Sequence, residues 1–282
     1  MKPIKLGLIG DNILTSSAPA FHRLAAQQHG IALTYDLLIP KTLGHTFEET
    51  VICARNNGFH ALNITLPYKE LAFELATIQN PKILALGAVN TVIFNSAGLA
   101  GHNTDYTGFQ KSYRAARGEK PAGAVLLLGA GGVGRSIAFA LCQLGVSRLE
   151  IHDEDTTKSA RLAAEINRLK PGLAQQASVQ AAVQVDAVVN GTPMGMYGYE
   201  GLPIEAQYFP DYCEWAFDAV YQPVETPFKK LAQKKGAQFI SGFELFFNQG
   251  VDAFQHFTGL KIMDEAELRI AMIECVFRGE EP

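Results

Sequence analysis

Short continuous apolar runs alternate along this chain with longer stretches of helical period. Residues 4–9, 33–39, 60–65, 125–128, 149–151, 185–190, 215–220 and 237–240 are runs of strand length, rich in Ile, Leu, Val and Phe. Runs of that kind suit strands buried on both faces of a parallel sheet. Helices are predicted over 19–28, opened by proline at its first turn, and over 41–56, 104–117 and 227–235. Two more follow Gly134 and Thr156, the first ended by Gly145. Residues 89–94 and 99–102 flank Asn95-Ser96-Ala97-Gly98, a turn signal, and predict a hairpin. Strands alternating with helices predict an α/β protein. Two domains are expected, 1–106 with its own mostly parallel sheet and 107–242 beginning near the loop at 118–123, with a cleft between them. Helices over 243–257 and 264–277 have no strand after them, so 243–282 is expected to pack back and complete the first domain. No internal repeat, coiled coil or low-complexity segment is present.

The most specific pattern lies between 125 and 141. The apolar run at 125–128 leads into Gly129, Ala130, Gly131, Gly132, Val133 and Gly134, a complete G-x-G-x-x-G, and helical apolar spacing follows. The first glycine permits a tight turn, the second lets the backbone approach a pyrophosphate, and the third lets helix and strand pack closely. The helix start offers N–H groups and a positive dipole end to phosphates. An acidic residue is expected after the next strand, to hold the adenosine ribose, and Asp153 stands there. The stretch His152-Asp153-Glu154-Asp155 holds three acids, and no arginine follows before Arg161. A carboxylate accepts from ribose hydroxyls and repels a 2′-phosphate, so the pattern predicts NAD and disfavours NADP. Asp155 is expected to cap the helix from Thr156. Asn190-Gly191-Thr192-Pro193-Met194-Gly195-Met196 follows another strand, where open α/β sheets bind ligands, which adds Thr192 and Met194 to the expected cofactor residues.

Composition narrows the possibilities further. In 282 residues, 48% are hydrophobic, ample for two cores, and 18% are charged, with a net charge of -4. That balance argues against a general nucleic-acid or anionic-membrane role. No apolar run approaches the roughly 18–20 residues of a membrane span, and the N-terminal run passes into a glycine turn rather than a signal peptide. The cysteines, Cys53, Cys142, Cys213 and Cys275, have no C-x-x-C spacing and fit reduced thiols in a cytoplasmic compartment. No His/Cys/Asp cluster has metal-ligand spacing, and His22, His60 and His102 read as loop or core histidines.

Three further stretches place polar residues in or beside apolar strands: Asn63-Ile64-Thr65-Leu66-Pro67-Tyr68-Lys69, Gly87-Ala88-Val89-Asn90-Thr91, and Gly101-His102-Asn103-Thr104-Asp105-Tyr106-Thr107-Gly108. Taken singly they are ambiguous. Lys69 suits a solvated surface, Asn90 needs either backbone or ligand partners, and Asp105 could cap the following helix. Together they resemble the shikimate/quinate dehydrogenase family. That family's N-x-T-x-P-x-K, G-A-V-N-T and G-x-N-T-D-x-x-G occur in order and unbroken. The glycine loop, N-x-T-P-x-G-M at 190–196, D-x-V-Y-x-P-x-x-T-P at 218–227, and Gly242 with Gln249 follow in register, so the resemblance runs the length of the chain.

The resemblance implies an N-terminal substrate domain, a C-terminal Rossmann-type domain, and dehydrogenation of a ring hydroxyl of shikimate or quinate. Lys69 and Asp105 are then the catalytic pair, and Ser16, Thr65, Asn90, Tyr221 and Gln249 the substrate contacts. An ordinary lysine, with a pKa of ~10.4, holds its proton at neutral pH. So either Lys69 acts as acid/base with Asp105 orienting it, which is the favoured assignment, or it stabilises an alkoxide while Asp105 or water takes the proton. The sequence departs from the family at one point. Two hydroxyl side chains are expected for the substrate carboxylate, in Ser-x-Ser-Pro or Ser-x-Thr-Pro, and Ser16-Ser17-Ala18-Pro19 supplies Ser16 but not the second. One hydrogen bond to a charged group is nominally about 1.5–3 kcal/mol. The departure bears on the substrate rather than the reaction class. The acids at 153–155 and the close of the chain, Val251-Asp252-Ala253-Phe254 and Phe257-Thr258-Gly259, resemble the NAD-preferring quinate/shikimate branch. Alternatives in view are an aminoshikimate-like substrate, or a non-catalytic sensor of quinate and NAD on the same fold, which need not keep both Lys69 and Asp105. The expected partners are a small cyclic polyhydroxy carboxylate and no nucleic acid or membrane, in a monomer or homodimer.

Overall fold

A computed structural model of the chain describes residues 3–181 and 184–278. The backbone divides into two compact units, Met1–Thr104 with Gln249–Pro282, and Asp105–Asn248. The division falls at 104/105 and 248/249, against the expected 106/107 and 242/243; the outermost expected bounds, 1–2 and 279–282, lie outside the described residues.

The first unit contains β1 (Ile4–Ile9), α1 (Ala18–Gln28), β2 (Leu33–Leu38), α2 (Pro40–Leu43), α3 (Phe47–Asn56), β3 (Ala61–Ile64), α4 (Lys69–Leu75), α5 (Pro81–Leu86), β4 (Thr91–Asn95) and β5 (Gly98–His102). Its sheet runs β2-β1-β3-β4-β5. The expected parallel pairing holds for β1 with β2 and with β3. The hairpin then joins antiparallel, because a tight turn can only return the chain in the opposite direction. Leu6, Leu8, Tyr35 and Ala61 form a core with Ala253 and Phe257 of the C-terminal segment.

The predicted helix over 41–56 is two helices. Gly44, at φ +70°, ends α2 in the left-handed conformation that glycine adopts without strain. Thr46 then restarts the chain with a reciprocal cap: its hydroxyl accepts from the Glu49 N–H at 3.1 Å, and the Glu49 carboxylate accepts from the Thr46 N–H at 2.7 Å. Two short helices, α4 and α5, escape the periodicity, although Asn80 and Pro81 announce α5 by a side-chain cap and a first-turn proline.

In the second unit, α6 (Thr104–Arg117) leads to β6 (Gly123–Leu128), α7 (Gly132–Leu141), β7 (Val146–His152), α8 (Thr156–Leu169), β8 (Ala174–Gln176), β9 (Ala187–Asn190), β10 (Trp215–Asp218), α9 (Pro227–Lys234) and β11 (Gln238–Ile240). The sheet is parallel throughout, ordered β11-β10-β9-β6-β7-β8. Numbered within the unit this is 3-2-1-4-5-6 read from its other edge, the order of dinucleotide-binding sheets. Strands β6 and β9 flank the point where strand order reverses. Leu126, Leu128, Val188 and Ala216 pack there with Phe209 and Phe228. β8 is a polar three-residue edge strand, Ala-Gln-Gln, which no apolar run could announce. The last helices are α10 (Gly242–Thr258) and α11 (Glu265–Arg278). α10 is continuous across the division at 248/249, so no turn signal marks that boundary.

Candidate active site

In the first unit the expected substrate residues gather where parallel strands end. Ser16 lies in the loop after β1, and Thr65 and Lys69 follow β3. Thr65 N–H donates to the Ile9 carbonyl at 2.9 Å, locking the two strand ends together. Lys69 is 5% exposed, at the first turn of α4 rather than in an open turn. Its carbonyl accepts from Val89 N–H at 2.9 Å, which fixes the segment leading to Asn90.

Asn90 is buried and held by several hydrogen bonds. Its Oδ1 accepts from Thr104 N–H at 2.7 Å and from Thr91 Oγ1 at 2.9 Å, and its Nδ2 donates to Thr104 Oγ1 at 3.0 Å. Thr104 Oγ1 in turn donates to Gln249 Oε1 at 3.3 Å. The structure thus joins Asn90 and Gln249 through Thr104, a residue sequence reasoning passed over although it stands inside G-x-N-T-D. Asp105, the next residue along the chain, is 6% exposed. It sits in the first turn of α6, where a carboxylate meets a positive helix end.

Ser16 Oγ accepts from the Ala18 N–H at 3.3 Å, so the one retained hydroxyl helps start α1. A further cluster in the same unit was not anticipated. Asp11, after β1, accepts from Lys41 Nζ at 2.6 Å and from the Tyr68 hydroxyl at 2.5 Å. These two bonds hold the Asp11 carboxyl below its ordinary range, and burial together with Asp11 pushes Tyr68 up to about 12. Tyr68 immediately precedes Lys69, so the cluster ties the Ser16 loop to the start of α4. His22 is enclosed, stacked 5.2 Å from the Tyr35 ring, and burial lowers its pKa to about 3. Like His102, stacked 3.9 Å from His256, it is a packed histidine.

In the second unit the glycine loop has the form its fingerprint requires. Gly129 has φ +93°, and a Cβ on Gly134 would lie 1.9 Å from the Gly129 carbonyl oxygen. Only glycine lets strand and helix approach that closely. Apart from Gly131 and its chain neighbours, no heavy atom of the described residues lies within 4 Å of where a Gly131 Cβ would sit, which leaves room for a close approach there. Gly131 is the N-cap of α7 and brings no side-chain cap, so the positive helix end is open to phosphate. Thr192 packs against Gly129, its Cγ2 2.7 Å from the position of a Gly129 Cβ, bringing the loops after β6 and β9 together.

Asp153 lies just past β7. Its Oδ2 accepts from Ala130 N–H at 2.7 Å and its Oδ1 from Asp155 N–H at 2.9 Å. A carboxylate has about four acceptor positions, which leaves capacity for two ribose hydroxyls. Asp155 caps α8 as expected, accepting from Thr157 N–H at 3.0 Å. Arg135 and Arg161 are both ion-paired with Glu165, at 2.6 and 3.1 Å. Tyr221 stacks on Phe246 at 4.8 Å. No cluster of metal-ligating side chains occurs among the described residues, and no described helix is long and apolar enough to cross a membrane.

The sequence and the fold both find relatives. The shikimate dehydrogenase substrate binding domain matches residues 8–92. A quinate/shikimate dehydrogenase (NAD(+)) of Corynebacterium efficiens is 36% identical over 92% of this chain and 94% of its own length. The chain belongs to the shikimate/quinate dehydrogenase family. A shikimate dehydrogenase (NADP(+)) of Arthrobacter sp. is 33% identical over 98% of this chain and 96% of its own. Among solved structures, a quinate dehydrogenase from Corynebacterium glutamicum in complex with NAD superposes with a TM-score of 0.87 at 33% identity, covering 96% of this chain and 99% of that one. The family places the chain among α/β oxidoreductases that pair a substrate domain with a Rossmann-type nicotinamide dinucleotide domain. Its relatives include both NAD- and NADP-named enzymes.

Proposed function

We propose that this protein is an NAD-dependent dehydrogenase that reversibly oxidises a ring hydroxyl of shikimate or quinate. Residues 1–104 with 249–282 supply most of the acid's contacts, and residues 105–248 hold the dinucleotide and add Asp105 and Tyr221. The observation that carries the cofactor assignment is Asp153, whose carboxylate is fixed by two backbone N–H groups at the end of β7. A pinned carboxylate accepts from ribose hydroxyls and repels a 2′-phosphate. Arg135 and Arg161 are both paired with Glu165. Gly129, Ala130, Gly131, Gly132, Val133 and Gly134 would bind the pyrophosphate, with Thr192 and Met194 beside them. The cofactor, when bound, accepts the hydride released from the ring carbon.

The chain's own residues must then manage the proton and the acid. As the hydride leaves, the hydroxyl proton has to move, and Lys69 and Asp105 are the groups assigned to it, Lys69 as acid/base and Asp105 as its orienting partner. Ser16, Thr65, Asn90, Tyr221 and Gln249 orient the ring. Asn90 and Gln249 are well suited, since Thr104 holds both amides in fixed orientation. Ala18 supports a second substrate reading, an analogue whose acid group is held without the second hydroxyl.

Initial rates with shikimate and quinate, each against NAD and NADP, test the proposal. Turnover of either acid, faster with NAD, is the expected result. Faster turnover with NADP overturns the Asp153 argument. Absence of turnover by folded protein that binds NAD overturns the substrate assignment in favour of the analogue or of the non-catalytic sensor.

A further inference from the structure

Asp218 is a carboxylate with no place in the chemistry above, yet it is 0% exposed. It ends β10 in register with Asn190, the last residue of β9 and equally enclosed. Three donors converge on it. Oδ1 accepts from Asn190 Nδ2 at 2.8 Å and from Val220 N–H at 3.0 Å, and Oδ2 accepts from Thr226 Oγ1 at 2.6 Å. Two loops are closed by these bonds. The loop carrying Tyr221 is held at one end by Val220 and at the other by Thr226, which also caps α9 by accepting from Lys229 N–H at 3.0 Å. The other loop hangs on Asn190. Its Oδ1 accepts from Thr192 N–H at 3.0 Å and Thr192 Oγ1 at 2.6 Å, and Thr192 Oγ1 accepts from Met194 N–H at 3.2 Å.

We infer that Asp218 is a positioning residue that sets two loops in one register, its Thr226 arm fixing the loop that carries Tyr221 and its Asn190 arm fixing residues 192–194. What the loops hold rests on the functional reading above; the network itself does not. Enclosure raises the Asp218 pKa to about 6, so keeping this group enclosed carries a cost at neutral pH. A plain structural position is filled more cheaply by an apolar residue.

The two arms make the inference testable on the full-length protein, by steady-state kinetics and calorimetric titration with NAD. Thr226→Val removes one donor and should raise the KM for the acid about tenfold while leaving the NAD Kd within about twofold. Thr226→Ser keeps the hydroxyl and should return the acid KM to within about twofold of the parent. Asn190→Ala should weaken NAD binding about tenfold, and the milder Asn190→Ser should weaken it in the same direction if Asn190→Ala does not fold. A purely structural role would reduce the folded fraction, lowering kcat with KM and Kd unchanged; that result, or equal impairment by Thr226→Ser and Thr226→Val, overturns the inference. If the parent protein oxidises neither acid, the functional reading fails, and the Asn190→Ala titration still decides the network: unchanged NAD affinity overturns it, and a tenfold loss supports it.

Discussion

At the scale of single residues, protonation and acceptor geometry decide most of what can be measured. Lys69→Met removes the assigned proton-handling group and should lower kcat by about 10²–10⁴-fold, with NAD affinity retained in a calorimetric titration; a kcat within twofold of the parent would remove Lys69 from the chemistry. Asp153→Ala takes away the ribose acceptor and the Ala130 anchor together. It should cost about tenfold or more in NAD affinity and narrow the preference over NADP, read from paired titrations. His22 supplies a pH dependence of stability. Its ordinary pKa is 6.5 and burial lowers it to about 3, so the unfolded chain takes up a proton that the folded one refuses. Stability is therefore fully present above about pH 6.5 and falls as pH drops towards 3. His102, lowered to about 4, acts with the same sign. Denaturant melts of the parent and of His22→Leu between pH 7 and 4 should show a shallower acid loss in the variant.

At the scale of elements, closeness of approach dominates. β6 and α7 meet so tightly that Gly134→Ala would drive a methyl group into the Gly129 carbonyl oxygen at 1.9 Å. The backbone there must shift, so the variant should lose at least tenfold in NAD affinity and about 1–3 kcal/mol of stability or more, seen in the same titrations and melts. Sequence reasoning was strongest on these elements. The glycine loop, β6, α7 and the Asp155 cap all follow from local sterics and local hydrogen bonds, and those are written in consecutive residues. It was weakest on short elements. α4 and α5 are too brief for a 3.6-residue period to show, and β8 is an edge strand without apolar residues. The long helix predicted over 41–56 failed because apolar spacing alone hid the stop at Gly44 and the restart at Thr46, although the T-x-x-E signature was there to be read.

At the scale of the whole molecule, the chain folds as two compact units with separate sheets, and a ligand of one unit should stabilise that unit first. NAD at about 100 times its Kd adds ~2.7 kcal/mol to whatever unfolding step disrupts its site. Calorimetric scans should show NAD raising the transition that includes residues 105–248. A scan indifferent to saturating NAD would contradict the assignment of that unit. The sequence by itself determined the α/β class, the glycine loop and the family motifs in which Lys69, Asn90 and Asp105 stand, because each rests on residues close together in the chain or on a pattern in register. Only the tertiary structure decided which polar groups join. Thr104 links Asn90 to Gln249, Asp11 links Lys41 to Tyr68, and Asp218 links Asn190 to Thr226. The physical reason is that a buried polar group must find a partner wherever the fold brings one, and the partner's distance along the chain carries no trace of that meeting.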